Sequence, residues 1–137
     1  MTEYETLRVE RRRSALILNL NRPERRNAVS LQMMADIIAA FEAAEGDAET
    51  RTIILYGGAE YFSAGADLTE AVKIKTATDG TRYFNRWHAL NDTLEHSSKP
   101  VIAAIEGFCM TGGLELALAA DLRIAGEGAT FAITSAR

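Results

Sequence analysis

Three short apolar runs, Ala15–Leu20 (ALILNL), Arg51–Tyr56 (RTIILY) and Val101–Ile105 (VIAAI), alternate along this chain with stretches of helical period. Runs so dense in branched residues read as strands lying inside a sheet. Between the first two, Ser30 is an N-cap for a helix running to about Ala44, with Leu31, Met34, Ile37, Ile38 and Phe41 on one face. Gly80 introduces a second helix with the stripe Tyr83, Phe84, Trp87, Leu90 and Leu94, and Pro100 stops it. A strand over Tyr4–Glu10, a short helix near Asp67–Lys75 and two strands, Leu122–Ala125 and Thr130–Ile133, complete the reading. The order is strand, strand, helix, repeated, which makes the chain an α/β protein. Periodicity alone does not separate a doubly wound sheet from a spiral of repeated units.

Composition narrows the partners. With 137 residues, 47% hydrophobic and 25% charged, the chain is long enough for one domain over residues 1–137 with a real core. A net charge of −4 argues against nucleic acid or a membrane surface as the main partner. The basic triplet Arg11–Arg13 reads as a solvated hairpin turn. No apolar run reaches the length of a membrane span, and MTEYETLRVE has no signal-peptide core, so the expected location is cytoplasmic. The single cysteine, Cys109, leaves no intramolecular disulfide and no thiolate partner for a metal; it reads as a small buried hydrophobe.

Two glycine-containing turns carry the chemistry. In Gly107–Ala125 (GFCMTGGLELALAADLRIA), glycines stand between a strand and a helix, where main-chain amides are open to another molecule. Glu115 is the only charge between Gly112 and Ala120. With Gly112 as N-cap, Glu115 stands at N3, where its carboxylate can cap the helix or act on whatever the glycine amides hold. Both readings are open at this level. The second turn, Tyr61–Glu70 (YFSAGADLTE), runs through small residues into Asp67, an N-cap for the next helix. Two such turns, each after a buried strand, supply the two amide donors that an oxyanion hole needs. His88 and His96 have no catalytic companion at an instructive spacing and are assigned no role.

Three segments together, Asn21–Ser30 (NRPERRNAVS), Phe62–Glu70 (FSAGADLTE) and Lys99–Ala125, resemble the enoyl-CoA hydratase/isomerase, or crotonase, superfamily in order and spacing. The resemblance implies a spiral of repeated ββα units, assembled as trimers or pairs of trimers, that stabilises a thioester enolate. It implies that the amides of Ala66 and Gly112 form the oxyanion hole and that Glu115 is the first of two catalytic carboxylates. Arg25 and Arg26 would then meet the phosphates or pantetheine arm of coenzyme A, while Ala28, Ala64, Gly65, Asp67 and Leu68 would line its pocket. The acyl-CoA substrate brings the coenzyme, and no metal or covalently bound cofactor is implied.

The sequence departs from the family pattern in three places. The second glutamate of the hydratases falls at Ser135, in FAITSAR, and Thr111 stands where glycine is common. That pattern points to branches that decarboxylate or hydrolyse acyl-CoA as the alternative, or to a catalytically silent fragment that binds coenzyme A or partner subunits. Family members are also about twice as long, so the chain reads as truncated, without the C-terminal helical region and with apolar surface left exposed.

Overall fold

The computed structural model describes residues 2–134. Strands β1 (Leu7–Arg12) and β2 (Ala15–Leu20) form an antiparallel hairpin, followed by a 3-10 turn (Pro23–Arg25) and helix α1 (Leu31–Glu45). Next come β3 (Thr52–Tyr56), β4 (Tyr61–Ser63), α2 (Leu68–Ala71) and α3 (Ala77–Glu95). The chain continues through β5 (Val101–Ile105), β6 (Phe108–Met110), α4 (Gly112–Leu118), β7 (Leu122–Ala125) and β8 (Thr130–Ala132).

The strands divide between two sheets, ordered β1-β2-β3-β5-β7 and β4-β6-β8. Every pairing after the hairpin is parallel. After the hairpin, each turn of chain thus lays one strand in the large sheet and the next in the small one before crossing back. That is a spiral of ββα units. A doubly wound protein would keep its strands in one sheet with helices on both faces.

The core lies between the inner face of the large sheet and the two long helices. Leu18, Ile53, Leu55, Val101 and Ala103 are fully buried from the sheet side, against Met33, Met34, Ile37 and Phe41 of α1 and Leu90 and Leu94 of α3. The opposite face, with Ile17, Ile54 and Ile102 in register, is only half-buried. The dense runs therefore alternate in burial, because one face of this sheet carries no helix.

Several expected boundaries shift for local reasons. The first strand begins and ends later than Tyr4–Glu10, because the hairpin turns at Arg13, with φ of 53°. Arg12 and Arg13 are exposed and the hairpin turns at Arg13, as expected of the triplet, but Arg11 and Arg12 are strand residues and Arg11 is half-buried, paired with Asp47 at 2.7 Å. Helix α3 starts at Ala77 rather than Gly80, since Thr76 and Asp79 form a reciprocal capping box. Its Phe84 is exposed, outside the buried stripe. Helix α2 is shorter than Asp67–Lys75. Of the small sheet, only β8 matches an expected strand, Thr130–Ile133; β4 and β6 are not among the expected strands, because three residues carry little readable alternation.

Candidate active site

The first wall of the site is built where residues 26–29 run beside residues 64–67. Ala64 N donates to Arg26 O at 3.0 Å, Val29 N to Gly65 O at 2.7 Å, and Asp67 N to Val29 O at 3.2 Å. These bonds make a parallel bridge between Val29 and Ala66. Because the peptides flanking Ala66 are bonded to Val29, the N–H of Ala66 points to the other side. Gly65 turns the chain there with φ of +109°, and a β-carbon at that position would stand 3.2 Å from Met110 O.

A charged pair closes over the bridge. The Arg22 guanidinium donates through Nη1 to Ala28 O at 2.6 Å and through Nη2 to Asp67 Oδ2 at 3.0 Å. The other carboxylate oxygen, Oδ1, accepts from Thr69 N and Oγ1, capping α2 as the sequence predicts. Burial by itself pushes the Asp67 carboxyl up, but hydrogen bonds from Thr69 and Arg22 outweigh it, and the group lies below the usual carboxylate value. Buried Asn27, in a left-handed conformation with φ of 55°, donates to Gly57 O and Tyr61 O and accepts from Arg22 N.

The second wall is the start of α4. The N-cap is Thr111, not Gly112, with φ of 47° and ψ of −109° and no side-chain cap. Glu115 is therefore one position further into the helix than the capping-box reading requires, and that reading fails. The Thr111 hydroxyl instead meets Thr134 Oγ1 at 2.8 Å. A β-carbon on Gly112 would lie 2.8 Å from Trp87 Cη2 and 3.4 Å from Ala66 N, and one on Gly65 would lie 3.5 Å from Gly112 N. The two walls thus meet at glycine contact distance. Neither the Ala66 nor the Gly112 amide donates a main-chain hydrogen bond among the described residues.

Beside this junction lies a groove of about 540 Å³. Arg25, Arg26, Ala28, Ala64, Asp67 and Leu68, expected at the coenzyme site, line it together with Ala66, expected in the oxyanion hole, and Thr111. Gly65 is buried behind it. Arg25 and Arg26 are exposed and in no ion pair among the described residues, whereas the Asp67 carboxylate is turned inward to Arg22 and Thr69. Glu115 does not line the groove. It is exposed, one helical turn after Thr111, with a side chain leaning toward the helix start. Ser135 lies outside the described residues. Cys109 is buried in β6, its thiol pushed up to about 11 by burial, so it is inert as a nucleophile at neutral pH. Among the described residues no cluster of His, Cys, Asp or Glu could hold a metal, and no helix is long and apolar enough to cross a membrane.

Sequence reasoning missed Arg22, Asn27 and Trp87 as site-building residues. Trp87 was read only as core, yet its ring edge sets the space above Gly112. Arg22 had one available signal: Asp67 is an isolated charge among small residues and needs a cation once buried.

The family model described as enoyl-CoA hydratase/isomerase matches residues 10–137. An enoyl-CoA hydratase of Mycobacterium tuberculosis is 39% identical over 132 residues, which is 94% of this chain and 49% of that protein. A 2,3-dehydroadipyl-CoA hydratase of Escherichia coli is 36% identical, covering 91% of this chain and 48% of its own length. The crystal structure of an enoyl-CoA hydratase from Thermoplasma volcanium superposes with a TM-score of 0.88 at 37% identity, over 96% of this chain and 52% of that one. The chain spans about half the length of the relatives it matches. Family model, relatives and spiral topology agree: the chain belongs to the enoyl-CoA hydratase/isomerase family and has the crotonase fold.

Proposed function

We propose that the chain carries one side of a site for acyl-CoA thioesters, with the Ala66 and Gly112 amides as its oxyanion hole. Both N–H groups donate to the thioester oxygen as it gains charge on the way to an enolate. One fixed donor of this kind contributes a factor of about 10²–10³, because it needs no reorientation when the charge appears. The observation that carries the reading is the close approach of the two backbones, 3.4 Å from a β-carbon on Gly112 to Ala66 N. The bare Gly112 is what allows the two backbones and the Trp87 ring to come this close.

Glu115 is the acid–base group of this reading. In hydration it takes a proton from water as the water oxygen bonds to the β-carbon, and it returns that proton to the α-carbon of the resulting enolate. Exposed Arg25 and Arg26 hold the phosphates or pantetheine arm, and Ala28, Ala64, Gly65, Asp67 and Leu68 shape the coenzyme pocket. Assembly into trimers or pairs of trimers belongs to the same proposal; Leu118, Leu122 and Ile124, more than half exposed at 56%, 59% and 62%, support it.

Ser135, where hydratases carry their second glutamate, favours a second reading in which the same oxyanion hole serves decarboxylation or thioester hydrolysis. Crotonyl-CoA and methylmalonyl-CoA separate the two, through loss of the conjugated thioester and release of carbon dioxide respectively. Glu115→Gln is expected to lower turnover by about 10²–10⁴. Full activity in that variant removes Glu115 from the mechanism. A chain that binds coenzyme A but converts neither thioester supports a silent binding role.

A further inference from the structure

Among the described residues, Arg22 is the one arginine that reaches both strands of the Val29–Ala66 bridge. Its two terminal nitrogens end on Ala28 O, next to Val29, and on Asp67 Oδ2, next to Ala66, at 2.6 and 3.0 Å. Both side chains are largely withdrawn from water, at 16% and 7% exposure, so little solvent competes for either contact. Arg22 is itself held from behind, since its backbone N–H donates to the buried Asn27 side chain at 2.9 Å.

We infer that Arg22 and Asp67 are positioning residues that set the direction of the Ala66 amide by clamping residues 28 and 67 across the bridge. The inference rests on the oxyanion-hole reading and moves Asp67 from coenzyme contact to support. The Ala66 N–H belongs to the Gly65–Ala66 peptide, whose oxygen accepts from Val29 N at 2.7 Å, while Asp67 N donates to Val29 O at 3.2 Å, so a shift of either bridge strand turns that peptide. An error of about 1 Å in a reacting geometry costs around two orders of magnitude in rate. Cap and clamp are separable. Asparagine caps a helix about as well as aspartate, but its neutral amide cannot pair with the guanidinium.

The test uses a chromophoric enoyl-CoA, 4-(dimethylamino)cinnamoyl-CoA, whose absorption moves to the red when its carbonyl is polarised. Asp67→Asn and Arg22→Lys are compared with wild type by that shift, by affinity for free coenzyme A and by thermal melting. Asp67→Asn is expected to lose at least half of the red shift, while affinity for free coenzyme A changes by less than about threefold. Arg22→Lys, with a point charge that reaches one partner at a time, is expected to lie between that variant and wild type, and it decides the matter if Asp67→Asn does not fold. A full red shift in the folded variants overturns the clamp. So does a loss of coenzyme affinity in step with the shift, which would make Asp67 a direct contact. A wild-type chain that binds the probe with no red shift overturns the oxyanion reading and the clamp with it.

Discussion

The two walls that meet at the site are built in opposite ways. The Ala66 wall is tied by three main-chain hydrogen bonds to residues 26–29, by the Arg22–Asp67 pair, and by the buried Asn27 amide. The Gly112 wall rests on a threonine in a backbone region unfavourable to L-residues, has no side-chain cap, and presents Glu115 to solvent. Position in the spiral accounts for the contrast. Residues 22–29 and 64–69 belong to successive turns, and each turn packs on the other. The strands of the α4 turn are paired on both sides, but no further α-helix follows α4 among the described residues, and Leu118, Leu122 and Ile124 stay exposed. In a stacked architecture each unit is stabilised by its neighbours, so order is greatest where turns are sandwiched.

The largest effect is expected from placing a methyl group where the walls touch. Gly112→Ala puts a carbon 2.8 Å from Trp87 Cη2 and 3.4 Å from Ala66 N. Overpacking of this kind costs about 1–3 kcal/mol of stability. Crowding of the amide is expected to lower turnover by at least the about 10²-fold that one donor contributes, and to diminish the red shift of the probe described above. Adding Trp87→Phe removes the ring edge and should restore melting temperature but not turnover. Recovery of both in the double variant would show that the space above Gly112 matters only for packing.

Next in size is the brace of the first wall. Asn27→Ala removes buried contacts to Gly57 O, Tyr61 O and Arg22 N and places alanine at a φ of 55°. Unsatisfied buried carbonyls cost about 1–3 kcal/mol and the left-handed backbone about 1–2 kcal/mol more. Urea unfolding should therefore show a loss of at least about 2 kcal/mol. A loss under about 0.5 kcal/mol, the size of an ordinary surface substitution, would mean that the wall is not braced as described.

A smaller and pH-dependent effect follows from Asp67. Burial opposes ionisation, but the bonds from Thr69 and Arg22 hold the carboxyl below its unfolded value. Between the two values the unfolded chain binds more protons than the native one, so stability rises with pH there. The contribution is complete above the unfolded value, about 3.9, and disappears as pH falls through the lower folded value. Glu45 and Asp47 are also held low, through hydrogen bonds led by Ser98 and Thr50. Acid sensitivity is thus shared, and the difference between wild type and Asp67→Asn isolates the clamp. The melting temperature of the variant should fall less on acidification, and parallel curves would count against the pair.

The contrast between walls also explains what could be read from the residues alone. Ala15–Leu20 and Val101–Ile105 match their strands to the residue, and Ser30 caps α1 as expected, because burial and capping act over neighbouring positions. Strands β4 and β6 were hidden, being three residues long and defined by partners some 45 positions away. Ala66 and Gly112 were named from the family resemblance, with no side-chain signal of their own. Arg22 escaped notice since nothing beside it in NRPERRN announces a partner at residue 67. Asp36 was equally silent: buried on α1, it accepts at Oδ2 from Thr6 N and Oγ1, thirty positions away, and at Oδ1 from Gln32 Nε2.

The smallest expected effect concerns the strain itself. Thr111 holds a φ of 47° with ψ of −109°, a combination that glycine adopts freely and that costs other residues about 1–3 kcal/mol. Thr111→Gly releases that cost but loses the contact with Thr134 Oγ1 and frees the unfolded chain, which offset about 1 and 0.4–1 kcal/mol respectively. The net change should be no larger than about 1.5 kcal/mol in either direction, read as a small shift of the urea midpoint at constant slope. Thr111→Ala loses the hydroxyl contact while keeping the strain, so it must be less stable than both wild type and the glycine variant. If alanine instead matches glycine, the backbone at residue 111 is not strained, and the second wall differs from the first only in what covers it.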